Sequence, residues 1–326
     1  MFALLPAFAA VAVGLIALAW SADRFVEGAA VTARHLGVPA LLVGMLVIGF
    51  GTSAPELLVS VTAAGQGNAA LALGNAIGSN IVNIALILGL TAVIAPIAVH
   101  SGIIRREIPL LMAVTALFSL LALDGGLTRL DGALLVLALG GIVGWSIWQA
   151  RRHRDDALSG EVELKLQEEA PLTPGRAWLW LAMGLLVLLA SSRLLVWGAV
   201  EIAQAFGVSD LVIGLTIVAL GTSLPELASS IVAARRGEPD LALGNVIGSN
   251  LFNTLGVIGV AVLIQPFAVA GAVLWRDLPV MIALTLGMAA MAWGFTSPGR
   301  LTRVEGAVLV FAYLSYTLLL LGTRWP

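Results

Sequence analysis

Two six-residue strings, Gly51-Thr52-Ser53-Ala54-Pro55-Glu56 and Gly221-Thr222-Ser223-Leu224-Pro225-Glu226, each lie inside an apolar run long enough to cross a bilayer. Few features restrict a fold more. A carboxylate in hydrocarbon costs roughly 3 kcal/mol or more, and lipid supplies no water to satisfy a broken backbone. Pro55 has no N–H for the Gly51 carbonyl and its ring pushes that carbonyl aside; Pro225 does the same to Gly221. Each string must therefore be shielded within a helical bundle. Each also presents freed backbone oxygens, two hydroxyls and one carboxylate within one helical turn, a donor set that suits a hard cation.

The rest of the chain agrees with that setting. Of its 326 residues 60% are hydrophobic and 11% charged, and the mean hydropathy is +1.02. Soluble domains carry about 25% charged residues, so this composition belongs to a polytopic membrane protein. There is no cysteine, which excludes thiol catalysis, disulfides and Cys-ligated metals, and the three histidines, His35, His100 and His153, have no metal-ligand spacing. A net charge of −2 without a basic patch argues against nucleic-acid binding. No glycine-rich phosphate loop and no paired Ser and His nucleophile points to an enzyme. The first apolar run lacks a basic leader and a cleavage site, so it is expected to be retained as a helix.

Apolar runs separated by Gly, Pro and charge clusters predict ten spans, near 3–30, 38–64, 70–95, 108–123 and 130–150, then 177–200, 208–234, 240–264, 273–294 and 303–323. The expected fold is all-α: ten transmembrane helices in two inverted five-helix repeats, with broken helices at the midplane. Laying the halves over each other at an offset of 170 makes the repeat plain. Leu71 to Asn83 reads LALGNAIGSNIVN and Leu241 to Asn253 reads LALGNVIGSNLFN; Gly37-Val38 matches Gly207-Val208, and Pro109 matches Pro279. The predicted organisation is a first repeat over 1–150, a cytoplasmic linker over 151–175 and a second repeat over 176–326. Most Lys and Arg of the short loops fall on one side if both termini lie outside, which sets the expected orientation in the cell membrane. Five spans per repeat is odd, so the second repeat enters upside down, the symmetry of carriers whose single site opens alternately to either side.

Two constellations carry the chemistry. Glu56 and Glu226, with Thr52, Ser53, Thr222 and Ser223, share helix faces at i, i+3 and i+4 spacing. Calcium takes six to eight oxygens, which two such half-sites can supply together. The second constellation is the Gly-Asn-x-Ile-Gly-Ser-Asn block. In it Ser79 and Asn83 share one face, Ser249 and Asn253 share another, and Gly74 and Gly78 allow a close helix approach. Hydroxyl and amide oxygens suit sodium as well as calcium. Asp23, Arg24 and Glu27 form a local ion-pair cluster on the first span.

The Gly-Thr-Ser-Ala-Pro-Glu and Gly-Thr-Ser-Leu-Pro-Glu strings, each followed about twenty residues on by Gly-Asn-x-Ile-Gly-Ser-Asn-x-x-Asn, resemble the two alpha repeats of the cation/calcium exchanger superfamily. Within it the chain is similar to prokaryotic sodium/calcium antiporters over nearly all ten spans. The resemblance implies Glu56 and Glu226 as central calcium carboxylates with the Thr52 and Thr222 carbonyls as further ligands. It implies Ser53, Ser223, Ser79, Ser249, Asn83 and Asn253 around flanking sodium sites. It also implies a core of spans 2, 3, 7 and 8 and a sliding pair of spans 1 and 6. Both Asn83 and Asn253 are amides where some relatives have one Asp, which speaks against potassium co-transport. Leu57 and Leu227 stand where proton-coupled relatives place His, which favours sodium coupling. The expected function is Ca²⁺/Na⁺ antiport, with proton or broader divalent antiport as the alternative within transport and a cation channel as the alternative outside it. No prosthetic group and no obligatory protein partner are expected beyond the lipid bilayer and the transported ions.

Overall fold

The structure is a computed structural model that describes residues 4–36, 38, 40–99, 104–152, 173–206, 219–293 and 299–322. The linker interior, Lys165, His100, His153, Gly37 and the Gly207-Val208 end of the repeat lie outside the described residues, as does the first half of the expected seventh span. Twelve helical pieces follow one another: α1 (Leu5–Leu36), α2 (40–52), α3 (Ala54–Gly65), α4 (69–94), α5 (Ile104–Ala122), α6 (Arg129–Arg152), α7 (Pro174–Ala205), α8 (Ala219–Thr222), α9 (Leu224–Arg235), α10 (Pro239–Ile264), α11 (Val273–Trp293) and α12 (Arg303–Gly322). Seven of them are long and apolar enough to cross a membrane, and the bent pair α2 and α3 makes an eighth. The remaining helices, α5 and the α8–α9 pair, stand at the places of the expected fourth and seventh spans.

Two antiparallel bridges tie the loops, Ile97–Ala98 to Arg300–Leu301 and Gly126–Leu127 to Phe267–Ala268. The centre is built from α2, α4 and α10. Leu41, Met45, Ile77, Ile81, Ile84, Val246 and Ile247 pack there almost without exposure. Glycine makes this approach possible. A Cβ on Gly244 or Gly248 would strike the carbonyl oxygen of Leu41 or Met45, and one on Gly49 would lie 2.8 Å from the Ser249 nitrogen. A Cβ on Gly74 or Gly78 meets no described atom within 4 Å.

Helices α1 and α7 run antiparallel along one side of this core. At 32 residues each, they are about 48 Å long and must tilt to stay within a bilayer. Their contact is reciprocal. A Cβ on Gly14 would lie 2.9 Å from Leu195 Cβ and one on Gly184 2.7 Å from Phe25 Cα. One on Gly28 would lie 2.5 Å from Leu181 N and one on Gly198 2.6 Å from the Ala7 oxygen. Gly14 and Gly184, like Gly28 and Gly198, are 170 positions apart, so the repeat reaches this pair as well.

The two flanks of the core differ. On one, α1 packs along α9, and Arg236 binds Asp23 at 2.6 Å and approaches Glu27 at 3.7 Å, while Arg34 binds Glu238 at 3.3 Å. The expected local cluster of Asp23, Arg24 and Glu27 is thus part of a bridge to another helix; Arg24 also pairs with Glu27 at 2.7 Å and covers the Trp180 ring. On the other flank α7 stands off from α3. A cavity of about 400 Å³ opens between them, lined by Pro55, Leu58, Arg193, Trp197 and Thr222 among others.

Candidate cation site

Proline and the hydroxyl residue before it make the breaks in α2–α3 and α8–α9. Ser53 leaves the helix at φ −81° and ψ 8°, and Ser223 does so at φ −93° and ψ 8°. Across Ser53 the axis turns by 45°. The helix before the first break is also widened, with π-type turns over Gly44–Gly49. The same wide turns recur where the amides stand, over Val82–Leu88 around Asn83 and over Phe252–Val257 around Asn253. Single π-turns within α-helices cluster at functional sites because they re-aim side chains that regular geometry would bury in the helix wall.

The two breaks meet, and their side chains cross. Ser53 Oγ donates to Glu226 Oε1 at 2.9 Å, and Ser223 Oγ donates to Glu56 Oε1 at 3.2 Å. Thr222 stands beside Glu56, and Thr52 beside Glu226. Each carboxylate therefore accepts from the serine hydroxyl of the opposite repeat, whereas the sequence had grouped each with the hydroxyls of its own turn. Both glutamates are about 1% exposed, and in each the second oxygen, Oε2, has no hydrogen-bond partner among the described residues. Such buried orphans are costly unless a donor or cation completes them.

The amides continue the same pattern. Asn83 Nδ2 donates to Asn250 Oδ1 at 3.0 Å; among the described residues the buried Asn83 Oδ1 and both side-chain polar atoms of Asn253 have no partner. Ser79 and Ser249 are buried one turn ahead of Asn83 and Asn253, and Ser249 Oγ donates to the Gly49 carbonyl at 3.2 Å. The Thr52 hydroxyl turns back onto its own helix, to the Ile48 carbonyl at 2.9 Å. One expectation needs correcting. The Gly221 carbonyl freed by Pro225 is not left open: Ser192 of α7 donates to it at 2.8 Å. The residue 170 positions earlier is Ala22, which has no hydroxyl for Gly51.

The sequence reading left out Asn75 and Asn245 together with Ser60 and Ser230, although each pair recurs at the offset of 170. Asn75 Nδ2 donates to the Glu56 carbonyl at 3.1 Å and Ser60 Oγ at 2.9 Å; Asn245 Nδ2 donates to the Glu226 carbonyl at 3.0 Å and Ser230 Oγ at 2.8 Å. Their exact recurrence was the available signal. Among the described residues no group of three or more His, Cys, Asp or Glu could hold a metal. Any ion here would rest on two carboxylates, with hydroxyl, amide and backbone oxygens making up the rest, a set that fits Ca²⁺ or Na⁺ and not a transition metal.

The sodium/calcium exchanger protein family matches residues 6–148 and 176–322. The putative antiporter CaxA of Alkalimonas amylolytica is 49% identical over 317 residues, covering 96% of this chain and 98% of that protein. The inner membrane protein YrbG of Escherichia coli is 39% identical, covering 97% and 98%. The sodium/calcium exchanger MaX1 of Methanosarcina acetivorans is 31% identical over 340 residues, covering 94% and 96%. Among solved structures, the sodium-calcium exchanger NCX_Mj soaked with Na⁺ and Sr²⁺ superposes with a TM-score of 0.82 at 31% identity, covering 96% of this chain and 97% of that one.

Proposed function

From the chain's membership of the sodium/calcium exchanger family, we propose that it exchanges Ca²⁺ for Na⁺ by alternating access, at one site built around Glu56 and Glu226. It is a multi-pass membrane protein. The observation that carries the site is the reciprocal pair of bonds from Ser53 to Glu226 and from Ser223 to Glu56, each leaving a buried carboxylate oxygen open. Thr52, Thr222, Ser79, Ser249, Asn83 and Asn253 surround it as the further oxygen donors.

The finer architecture belongs to the same reading: ten spans in two inverted repeats, 1–150 and 176–326, joined by a cytoplasmic linker over 151–175, with both termini outside. The reciprocal glycine contacts between α1 and α7 support the inversion, since an antiparallel pair related by the repeat offset is what an in-plane twofold produces. With that orientation the cavity beside α3 opens to the outside, and the ion-paired flank of α1 and α9 closes the cytoplasmic side.

Charge gives the mechanism. With both glutamates ionised and both asparagines neutral, the bare site carries a charge of −2. One Ca²⁺ or two Na⁺ bring it to zero, and three Na⁺ leave it at +1. The cost of carrying charge through a low-dielectric barrier grows with its square, so the loaded forms switch and the bare form does not. Exchange is then obligatory. Calcium-loaded vesicles placed in medium free of sodium and calcium, with the voltage clamped at zero, should hold their calcium until sodium is added outside. Rapid loss before sodium arrives would mean that the empty carrier returns freely or that the pathway is a channel, and would overturn the charge argument.

A further inference from the structure

Two asparagine braces, Asn245 buried and Asn75 half-buried, reach the main chain behind the carboxylates. Asn245 is 1% exposed on α10, and both hydrogens of its Nδ2 are committed to α9, to the Glu226 carbonyl and Ser230 Oγ. That fixes the amide's orientation, because a carboxamide donates only through nitrogen and accepts only through oxygen. The oxygen then points to the first repeat, where it lies 3.3 Å from Thr52 Oγ1. In the other half Asn75 of α4 reaches the same two places on α3, the Glu56 carbonyl and Ser60 Oγ. Both braces end on the main chain of the residue that bears the carboxylate. They do so in the first turn after a helix break, where backbone donors have lost their intrahelical partners and the turn is easily frayed.

We propose that Asn75 and Asn245 are positioning residues of the ion site. Each clamps the main chain at the glutamate of its own repeat. The carboxylate is thereby held at a fixed distance from the hydroxyl of the opposite repeat, with its second oxygen turned to the ion. In each repeat one of the two bonds ends on the carbonyl of the glutamate itself and the other on a serine one turn further along the same helix, so the pair of bonds spans the turn that carries the carboxylate. The inference rests on the exchanger reading of this site, in which the oxygens that meet the ion must be preset, and outer partners of metal ligands typically contribute tenfold to a hundredfold in affinity.

The test replaces each amide by an apolar side chain of similar size, Asn75→Leu and Asn245→Leu, and measures sodium-dependent Ca²⁺ uptake in proteoliposomes alongside thermal unfolding of the purified protein with and without Ca²⁺. The expected result is a KM for Ca²⁺ raised tenfold to a hundredfold and a diminished Ca²⁺-induced rise in Tm, in protein that remains folded. Should Asn245→Leu not accumulate, Asn245→Ser asks the same question with a smaller polar residue. An unchanged KM together with an unchanged Ca²⁺-induced Tm shift, in variants of either repeat, overturns the proposal even if the yield falls. The parent protein in the same vesicles separates the two readings. If it fails to exchange Ca²⁺ for Na⁺, the function is wrong; if it exchanges while the variants match it, only the braces are.

Discussion

Arg236→Gln should shift the balance between the two access states, because its ion pairs join α1 to the end of α9 across the flank that is packed shut. Arg236 meets Asp23 at 2.6 Å and Glu27 at 3.7 Å, with side chains between 22% and 41% exposed. Pairs this open to solvent contribute about 0.2–1 kcal/mol each, so the two together stabilise closure by about 1 kcal/mol, roughly a fivefold population ratio. The opposite flank offers no compensation, because the residues 170 positions from Arg236, Glu238 and Asp23 are Gln66, Asn68 and Arg193. Closing that flank forms no equivalent ion pair. The chain has no cysteine, so Ala233→Cys adds a single thiol at a position 1% exposed, in the same buried cluster as Ala29, Ala30 and Ala33 of α1. Labelling by a membrane-impermeant maleimide added on the side of the α1–α9 ion pairs, cytoplasmic in the proposed orientation, should quicken about fivefold when Arg236→Gln is added. The difference should shrink at high salt, where exposed pairs are screened. A labelling rate that Arg236→Gln leaves unchanged at low salt would refute the reasoning.

Other outcomes follow from the same geometry. Glu56→Gln and Glu226→Gln keep shape and hydrogen-bonding capacity but remove one charge each from the site, so either should abolish exchange in vesicles while folded protein remains in the membrane. Asn83→Asp or Asn253→Asp adds a third acid near two others, and uptake measured across pH should become more pH-dependent and move toward higher pH, since the added proton must leave before Ca²⁺ binds; an unchanged profile in both would place these residues outside the site. Gly184→Val should wedge α7 away from the Phe25 backbone, where a Cβ would already lie 2.7 Å from its Cα. Overpacking of that kind costs about 1–3 kcal/mol and should lower the Tm of the purified protein, whereas Gly140→Val on α6, with no atom within 4 Å of the added Cβ, should not.

Much of the site could be read along the chain. An acid, a proline and two hydroxyls inside an apolar run admit few explanations, and the same string at an offset of 170 leaves fewer. Periodicity placed Ser79 with Asn83 and Ser249 with Asn253, and the structure keeps each pair one turn apart and buried. These are local relations, fixed by the rise and pitch of a helix and by the cost of polar groups in lipid. The close-approach reading named Gly74 and Gly78, where an added Cβ meets no described atom; it is their counterparts Gly244 and Gly248 that meet the α2 backbone.

What joins one repeat to the other could not be read so. That Ser53 serves Glu226 and Ser223 serves Glu56, that Ser192 takes the Gly221 carbonyl, and that Asn75 and Asn245 end on the glutamate main chain all depend on how separate helices meet. The wide turns around Asn83 and Asn253 belong with these, since no local composition distinguishes them from ordinary helix. The side that is open is also a tertiary fact. The two motif blocks are nearly the same string, but the flanks beside them are not, with Arg236, Glu238 and Asp23 matched by Gln66, Asn68 and Arg193. Only the packing of α1 on α9, with Arg236 and Arg34 paired across it, closes one flank while α7 stands clear of α3 on the other. The sequence by itself determined which polar groups recur inside apolar runs, because burial in lipid leaves such groups few partners; the tertiary structure decided which repeat supplies the hydroxyl partner of each carboxylate and which flank stands open, because those depend on contacts between helices distant in the chain.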